Sequence, residues 1–183
     1  MLAQQSHWSL KHIILHWLTA VAVICLYGLG WWMMELDYYD SWYRTAPFWH
    51  KSVGLLLVFL VVVRLFVRVF ARSPEAIVEH AKWERGLSHL VHASLYVLLF
   101  IVFASGYLIS TADGRGISFF GWFDVPALVT SIDDQEDLAG WVHDLSTNAL
   151  IWLAGFHAIG ALKHHFIDRD ATLKRMLFPK KDT

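Results

Sequence analysis

The chain has 183 residues, of which 56% are hydrophobic and only 17% charged, more apolar side chain than a soluble domain of this size can enclose. The formal net charge of −1 conceals an asymmetry along the chain and says little about partners, and no basic stripe interleaved with aromatics suggests nucleic acid. The single cysteine, Cys25, excludes an intramolecular disulfide and the C-x-x-C-H site of covalent haem attachment, so any haem here is held by its ligands alone.

Four apolar runs reach the roughly 20 helical residues that cross a hydrocarbon core about 30 Å thick. The first, about 13–34, holds His16; it is longer than a signal-peptide core and no small-residue cleavage pattern follows it, so it is expected to be a retained span. The second, about 48–70, opens on His50 and Lys51 and closes around Arg64 and Arg68. The third, about 87–109, opens on His89 and His92. A connection over 111–140, rich in Gly, Asp and aromatic residues, is expected to be a partly ordered loop. The fourth run, about 141–162, holds His143 and His157, with His164 and His165 just beyond it. Runs this long without alternating polarity satisfy their backbone in lipid as helices rather than as barrel strands. The prediction is a single transmembrane domain over residues 1–183, an all-α integral-membrane protein built as an antiparallel four-helix bundle. No internal repeat or low-complexity tract interrupts it.

Basic residues orient the bundle. Lys11 precedes the first span, Arg64, Arg68, Arg72, Lys82 and Arg85 surround the turn between the second and third, and Lys163, Arg169, Lys174, Arg175, Lys180 and Lys181 follow the fourth. Twelve of the fifteen basic residues thus share one side, which predicts cytoplasmic termini. The opposite side carries Arg44, Lys51 and Arg115 among many acidic groups. Trp31, Trp32, Trp42, Trp49 and Trp141 fit an interfacial belt and need no redox role.

The chemistry lies with the histidines, eight of which fall within or at the ends of the spans. An ionisable side chain at membrane depth is costly and faces a partner in the bundle interior. His143 and His157 are fourteen residues apart, which puts them about 40° apart on one helix face with a rise of about 21 Å. The first helix brings His16 to the level of His157, and the second brings His50 to the level of His143. Pairing His16 with His157 and His50 with His143 gives two bis-imidazole sites for a flat macrocycle between facing helices, hence two b-type haems with their iron in the bundle core. Gly54, Gly155 and Gly160 are small residues that would let such a ring approach the backbone.

A lone intramembrane histidine often does no more than hydrogen-bond across helices; four at two matched depths argue against that reading. Zinc is disfavoured because neither level offers the three or four closed ligands it takes. His89 and His92 are candidates for porphyrin propionates, alternative inner ligation or proton carriage, and Arg64 and Arg68 either meet inner propionates or anchor the cytoplasmic face. His164 lies seven residues past His157, about 20° away and about 10.5 Å further toward the cytoplasm, where its imidazole can reach beyond the inner level and exchange a proton near neutral pH. Lys163 and His165 are secondary candidates there, with Lys163 better read as snorkelling to the headgroups. On the outer side Lys51, which adjoins His50, and Arg44 are the candidate catalytic residues, basic groups placed to focus charge at the entrance to the outer level.

The segments LHWLTA around His16, FWHKSVGLLLVFLVVVRLFVR around His50, GLSHLVHASLYVLLF around His89 and His92, and WVHDLSTNALIWLAGFHAIGALKHHF around His143 and His157 together resemble the bacterial cytochrome b561 family of small di-haem membrane cytochromes. The resemblance spans most of the chain and is nearest to the superoxide oxidases of that family. It implies His16, His50, His143 and His157 as axial ligands, oxidation of superoxide to dioxygen on the outer side, and reduction of ubiquinone near His164 in the bacterial inner membrane. The alternatives are a cytochrome b subunit fed by a dehydrogenase or hydrogenase as redox partner protein, and a haem-free transporter working through histidine relays.

Overall fold

The computed structural model describes residues 8–70 and 81–179. Arg72, Lys180 and Lys181, used above to orient the bundle, lie outside them. Four helices span a membrane by length and composition: α1 (Leu10–Met34), α2 (Thr45–Phe70), α3 (Lys82–Thr111) and α4 (Gln135–Phe166). A short α5 (Thr172–Leu177) follows. Each helix extends beyond its apolar run, most of all α4, which begins six residues before the expected start. That extra turn and a half carries Gln135, Glu136 and Asp137, and acidic groups there complement the helix dipole outside the lipid. At the other end of α4, Lys163, His164 and His165 do the same for the last turn.

The helices pack as two antiparallel pairs, α1 along α2 and α3 along α4, with few contacts between the pairs. The pairs meet in a mid-height layer of Leu26, Leu57, Val61, Leu99 and Leu150. Only a small part of each span is enclosed by protein, and residues such as Trp31, Phe66 and Trp152 are largely exposed on the outside of the bundle. An apolar exterior of this extent is stable only in lipid, and the chain is a multi-pass membrane protein.

The connection between α3 and α4 is more ordered than expected. Strands β1 (Ile117–Phe119) and β2 (Phe123–Val125) form an antiparallel hairpin with Phe119 opposite Phe123. Phe120 and Gly121 take positive φ at its turn, closed by Trp122 N–H to the Phe119 carbonyl. Gly116 is obligatory, since a Cβ there would sit 2.8 Å from the Val125 carbonyl. The hairpin is latched to α2 by Ser52, fully buried, whose hydroxyl donates to the Ser118 carbonyl and accepts from Phe120 N–H. Tyr107 donates to the Pro126 carbonyl and accepts from Leu128 N–H, and the buried Gln135 amide donates to the carbonyls of Leu108 and Val129. The hairpin therefore caps one end of the bundle, called here the hairpin end; the start of α1 and the end of α4 share the other end, called the termini end, with α5.

Candidate cofactor and redox sites

At the hairpin end the rings of His50 and His143 lie 6.4 Å apart, centre to centre. At the termini end His16 and His157 lie 6.3 Å apart. Two imidazoles sharing one metal would each bond through nitrogen at about 2.0–2.1 Å. A five-membered ring of bonds near 1.33 Å adds a radius of roughly 1.1 Å on each side, so the expected separation is roughly 6 Å. Both pairs fit, and the leucine and valine layer separates them.

The surroundings of the two pairs differ. His143 donates from Nδ1 to the Val102 carbonyl at 3.0 Å, with the Ser105 hydroxyl 3.1 Å away, which fixes the tautomer that leaves Nε2 as the electron-pair donor. His50 Nδ1 is buried without a hydrogen-bond partner. Two glycines make room for these rings: a Cβ at Gly106 would lie 3.0 Å from His143 Cε1, and one at Gly30 would lie 3.2 Å from His50 Cε1. These are the glycines in close approach to the candidate ligands, whereas Gly54, Gly155 and Gly160 have nothing within 4 Å of a built Cβ.

At the termini end, Arg64 donates to His16 Nδ1 at 2.8 Å and lies over the Tyr96 ring, 5.5 Å from its centre. A neutral His16 that accepts at Nδ1 carries its proton on Nε2. Ligation through Nε2 therefore requires Arg64 to release this nitrogen, after which its guanidinium is available for an anion. His92 packs against His157 with ring centres 5.0 Å apart, closer than a shared metal permits; His89 is exposed on α3. Arg68 lies one turn beyond Arg64 and is partly exposed.

His164 is the centre of a charged cluster. Its Nδ1 lies 2.8 Å from Asp168 and 2.9 Å from Asp170, while Lys163 bridges Asp168 and Glu84 at 2.7 and 2.9 Å. Glu84, His164 and Asp168 are close enough together to hold a metal ion, although the Lys163 ammonium contacts two of the three. Glu84 and Asp168 carried no recognisable signal in the sequence, because their approach depends on the turn after α4. His165 packs on Phe166, and its Nδ1 is buried without a partner.

Lys51 and Arg44 are both exposed at the hairpin end, beside His50 and just before α2, and neither forms an ion pair with a described residue. Arg115 differs: its guanidinium pairs with Asp113, donating from Nε at 2.7 Å. That hydrogen bond, more than any other influence, holds the Asp113 carboxyl below its usual range.

Four helices long and apolar enough to cross a membrane thus bring histidines face to face at two depths. Residues 7–179 match the family described as prokaryotic cytochrome b561, and the chain belongs to that family. It is 48% identical to cytochrome b561 homolog 2 of Escherichia coli K12, over 88% of this chain and 86% of the relative. It is 27% identical to cytochrome b561 homolog 1 of the same organism, over 96% and 99%. A protein of Yersinia pestis named "Probable superoxide oxidase CybB" is 28% identical over 95% and 97%.

Proposed function

We propose that this cytochrome b561-type redox protein holds two haems b, one between His50 and His143 and one between His16 and His157, and joins an electron donor outside the membrane to ubiquinone on the cytoplasmic side. The observation that carries the reading is the matched ring separation at two depths, 6.4 and 6.3 Å. The donor chemistry supports it, with His143 locked in the ligating tautomer and Arg64 poised to exchange His16 for a carboxylate. Haem b, when bound, supplies one-electron exchange. The protein's part is to fix four imidazoles, exclude water with the leucine layer and the hairpin cap, and deliver substrates to each end.

In this reading the hairpin end faces outward and both termini are cytoplasmic, as the positive-inside pattern requires. Each superoxide gives up one electron and leaves as dioxygen, so two are needed, with two protons, for each quinone reduced to quinol. Lys51 and Arg44 would draw in the anion beside His50. His164, held at Nδ1 by Asp168 and Asp170, would present its other nitrogen to the quinone and pass on a proton. The relative named for superoxide oxidation, at 28% identity, supports this choice of donor.

A second reading is favoured by the acidic hairpin end. Residues 35–51 carry three acidic and two basic groups, and residues 111–140 six and one, which repels an anion on average. On that reading a dehydrogenase or hydrogenase partner with a basic face supplies the electrons. The deciding experiment adds superoxide anaerobically to the purified, haem-loaded protein with and without a short-chain quinone. Rapid haem reduction followed by quinol formation supports the first reading; reduction no faster than that of free haem controls leaves the partner-fed cytochrome.

A further inference from the structure

On the two-haem reading, we infer that His12 and Arg68, with Arg64, form a carboxylate-binding cradle for a propionate of the haem held by His16 and His157. The starting point is a buried group without a partner. His12 is 8% exposed, and its Nε2 is buried with no hydrogen-bond partner, although Nδ1 is held by the Ser9 hydroxyl at 2.8 Å and the ring packs on Trp8. A buried imidazole nitrogen left unpaired is costly and therefore rare.

Helix geometry shows what it faces. Arg64 of α2 reaches His16 of α1 at 2.8 Å. His12 is one turn before His16, and Arg68 is one turn after Arg64. Because α1 and α2 run antiparallel, both steps lead toward the termini end, so His12 and Arg68 form the next rung of the same ladder. Arg68 and Arg64 are the charged groups closest in influence on His12. The rung thus sets the His12 imidazole and Arg68 about 6 Å below the level at which Arg64 meets His16, so that an anion between the two levels is within reach of all three. In a low-dielectric span, two such cations call for an anion rather than for each other, and a planar carboxylate matches the guanidinium fork. The Ser9 hydroxyl can donate to Nδ1, and in that arrangement the neutral His12 carries its proton on Nε2, where it can donate to that carboxylate.

The same chemistry would suit a phosphate of an anionic lipid, because Lys11, Phe66, Val67 and Phe70 line an open apolar groove beside this rung. The experiment separates the two sources. His12→Ala, His12→Gln, Arg68→Ala and Arg68→Lys variants are purified with haem. Each haem's midpoint potential is measured by redox titration, carboxylate bands are followed by redox difference infrared spectroscopy with haem labelled at the propionate carbons, and bound lipid is counted by native mass spectrometry. The inference requires His12→Ala and Arg68→Ala to lower the potential of the termini-end haem alone and to shift its labelled propionate band, with partial recovery in His12→Gln and Arg68→Lys. Unchanged potential and band overturn it. Loss of bound anionic lipid with an unmoved propionate band assigns the rung to a lipid phosphate and also overturns it. Absence of any b-type spectrum in the parent protein would instead be failure of the two-haem reading itself.

Discussion

The two histidine pairs are spaced alike yet built differently. The hairpin-end pair is closely framed: glycines at Gly30 and Gly106 admit the rings, Val102 sets the His143 tautomer, and the Ser52 latch closes the end, with His50 Nδ1 left unpaired. The termini-end pair is polar and offers choices, with Arg64 on His16, His92 against His157, His12 unpaired at Nε2 and His164 among carboxylates. A site fixed by backbone and glycine can position a cofactor but cannot exchange partners. One surrounded by movable charges can, and proton-coupled chemistry needs that freedom.

The comparison breaks most completely if ligands are removed. His50→Ala or His143→Ala should lose the hairpin-end haem entirely, and His16→Ala or His157→Ala the other, as read from haem content and low-spin spectra of the purified variants. His92 is the informative control, since its ring sits 5.0 Å from His157. If His92→Ala lost a haem while His16→Ala kept both six-coordinate, the ligand assignment at that level would have to be redrawn.

Gly106→Val should come next. Even a bare Cβ would meet His143 Cε1 at 3.0 Å and Nδ1 at 3.3 Å, and a branched side chain pushes the ring off its position against the Val102 carbonyl. Most of the hairpin-end haem should be lost with the other retained, whereas Gly54→Ala, with nothing within 4 Å, should leave both. Equal haem occupancy in Gly106→Val and the parent would show that the ring relocates freely.

How much of this was legible follows from what each signal measures. Long apolar runs announce spans, and the fourteen-residue interval on the fourth announced two levels, because helix periodicity turns spacing into direction. Apolar length says nothing about polar helix extension, so the start of α4 at Gln135 was missed. The hairpin was hidden because its latch pairs Ser52 with residues 66 and 68 positions away. Gly30 and Gly106 looked like any helical glycine until the rings of distant helices were placed beside them. His12 lay just before the first apolar run and drew no attention, yet its burial depends on the α1–α2 pairing.

His164→Ala should act on turnover without loss of haem. Removing a positioned proton donor costs about 10²–10⁴-fold where proton transfer limits the rate, and less where quinone exchange does. Quinone reduction should slow by at least about tenfold on that principle, with both haem spectra intact. Identical steady-state kinetics across a range of quinone concentrations would relegate His164 to a headgroup contact with its carboxylate neighbours.

The smallest expected effect tests the hairpin end as an anion collector. The average charge there is acidic, so attraction depends on which cations are left unneutralised. Arg115 is paired with Asp113, whose carboxyl is held below the usual range chiefly by that bond. The pair therefore stays ionised and self-compensated at neutral pH, and its salt bridge weakens only as pH falls through the depressed carboxyl value. Lys51 and Arg44 form no ion pair with a described residue, although Lys51 feels the Asp113 carboxylate at longer range, and Lys51 adjoins His50. Surface charges act on an approaching ion through a Debye length of about 10 Å at 0.1 M salt. Lys51→Glu should thus slow the second-order reduction of haem by superoxide several-fold at low ionic strength, Arg44→Glu somewhat less, and Arg115→Gln, which removes a charge where the others reverse one and leaves the Asp113 carboxylate uncompensated, less again, with the differences shrinking as salt is added. Should Arg115→Gln prove the most damaging of the three at neutral pH, the anion enters beside the hairpin rather than beside His50, and the role given to Lys51 passes to the Asp113–Arg115 pair.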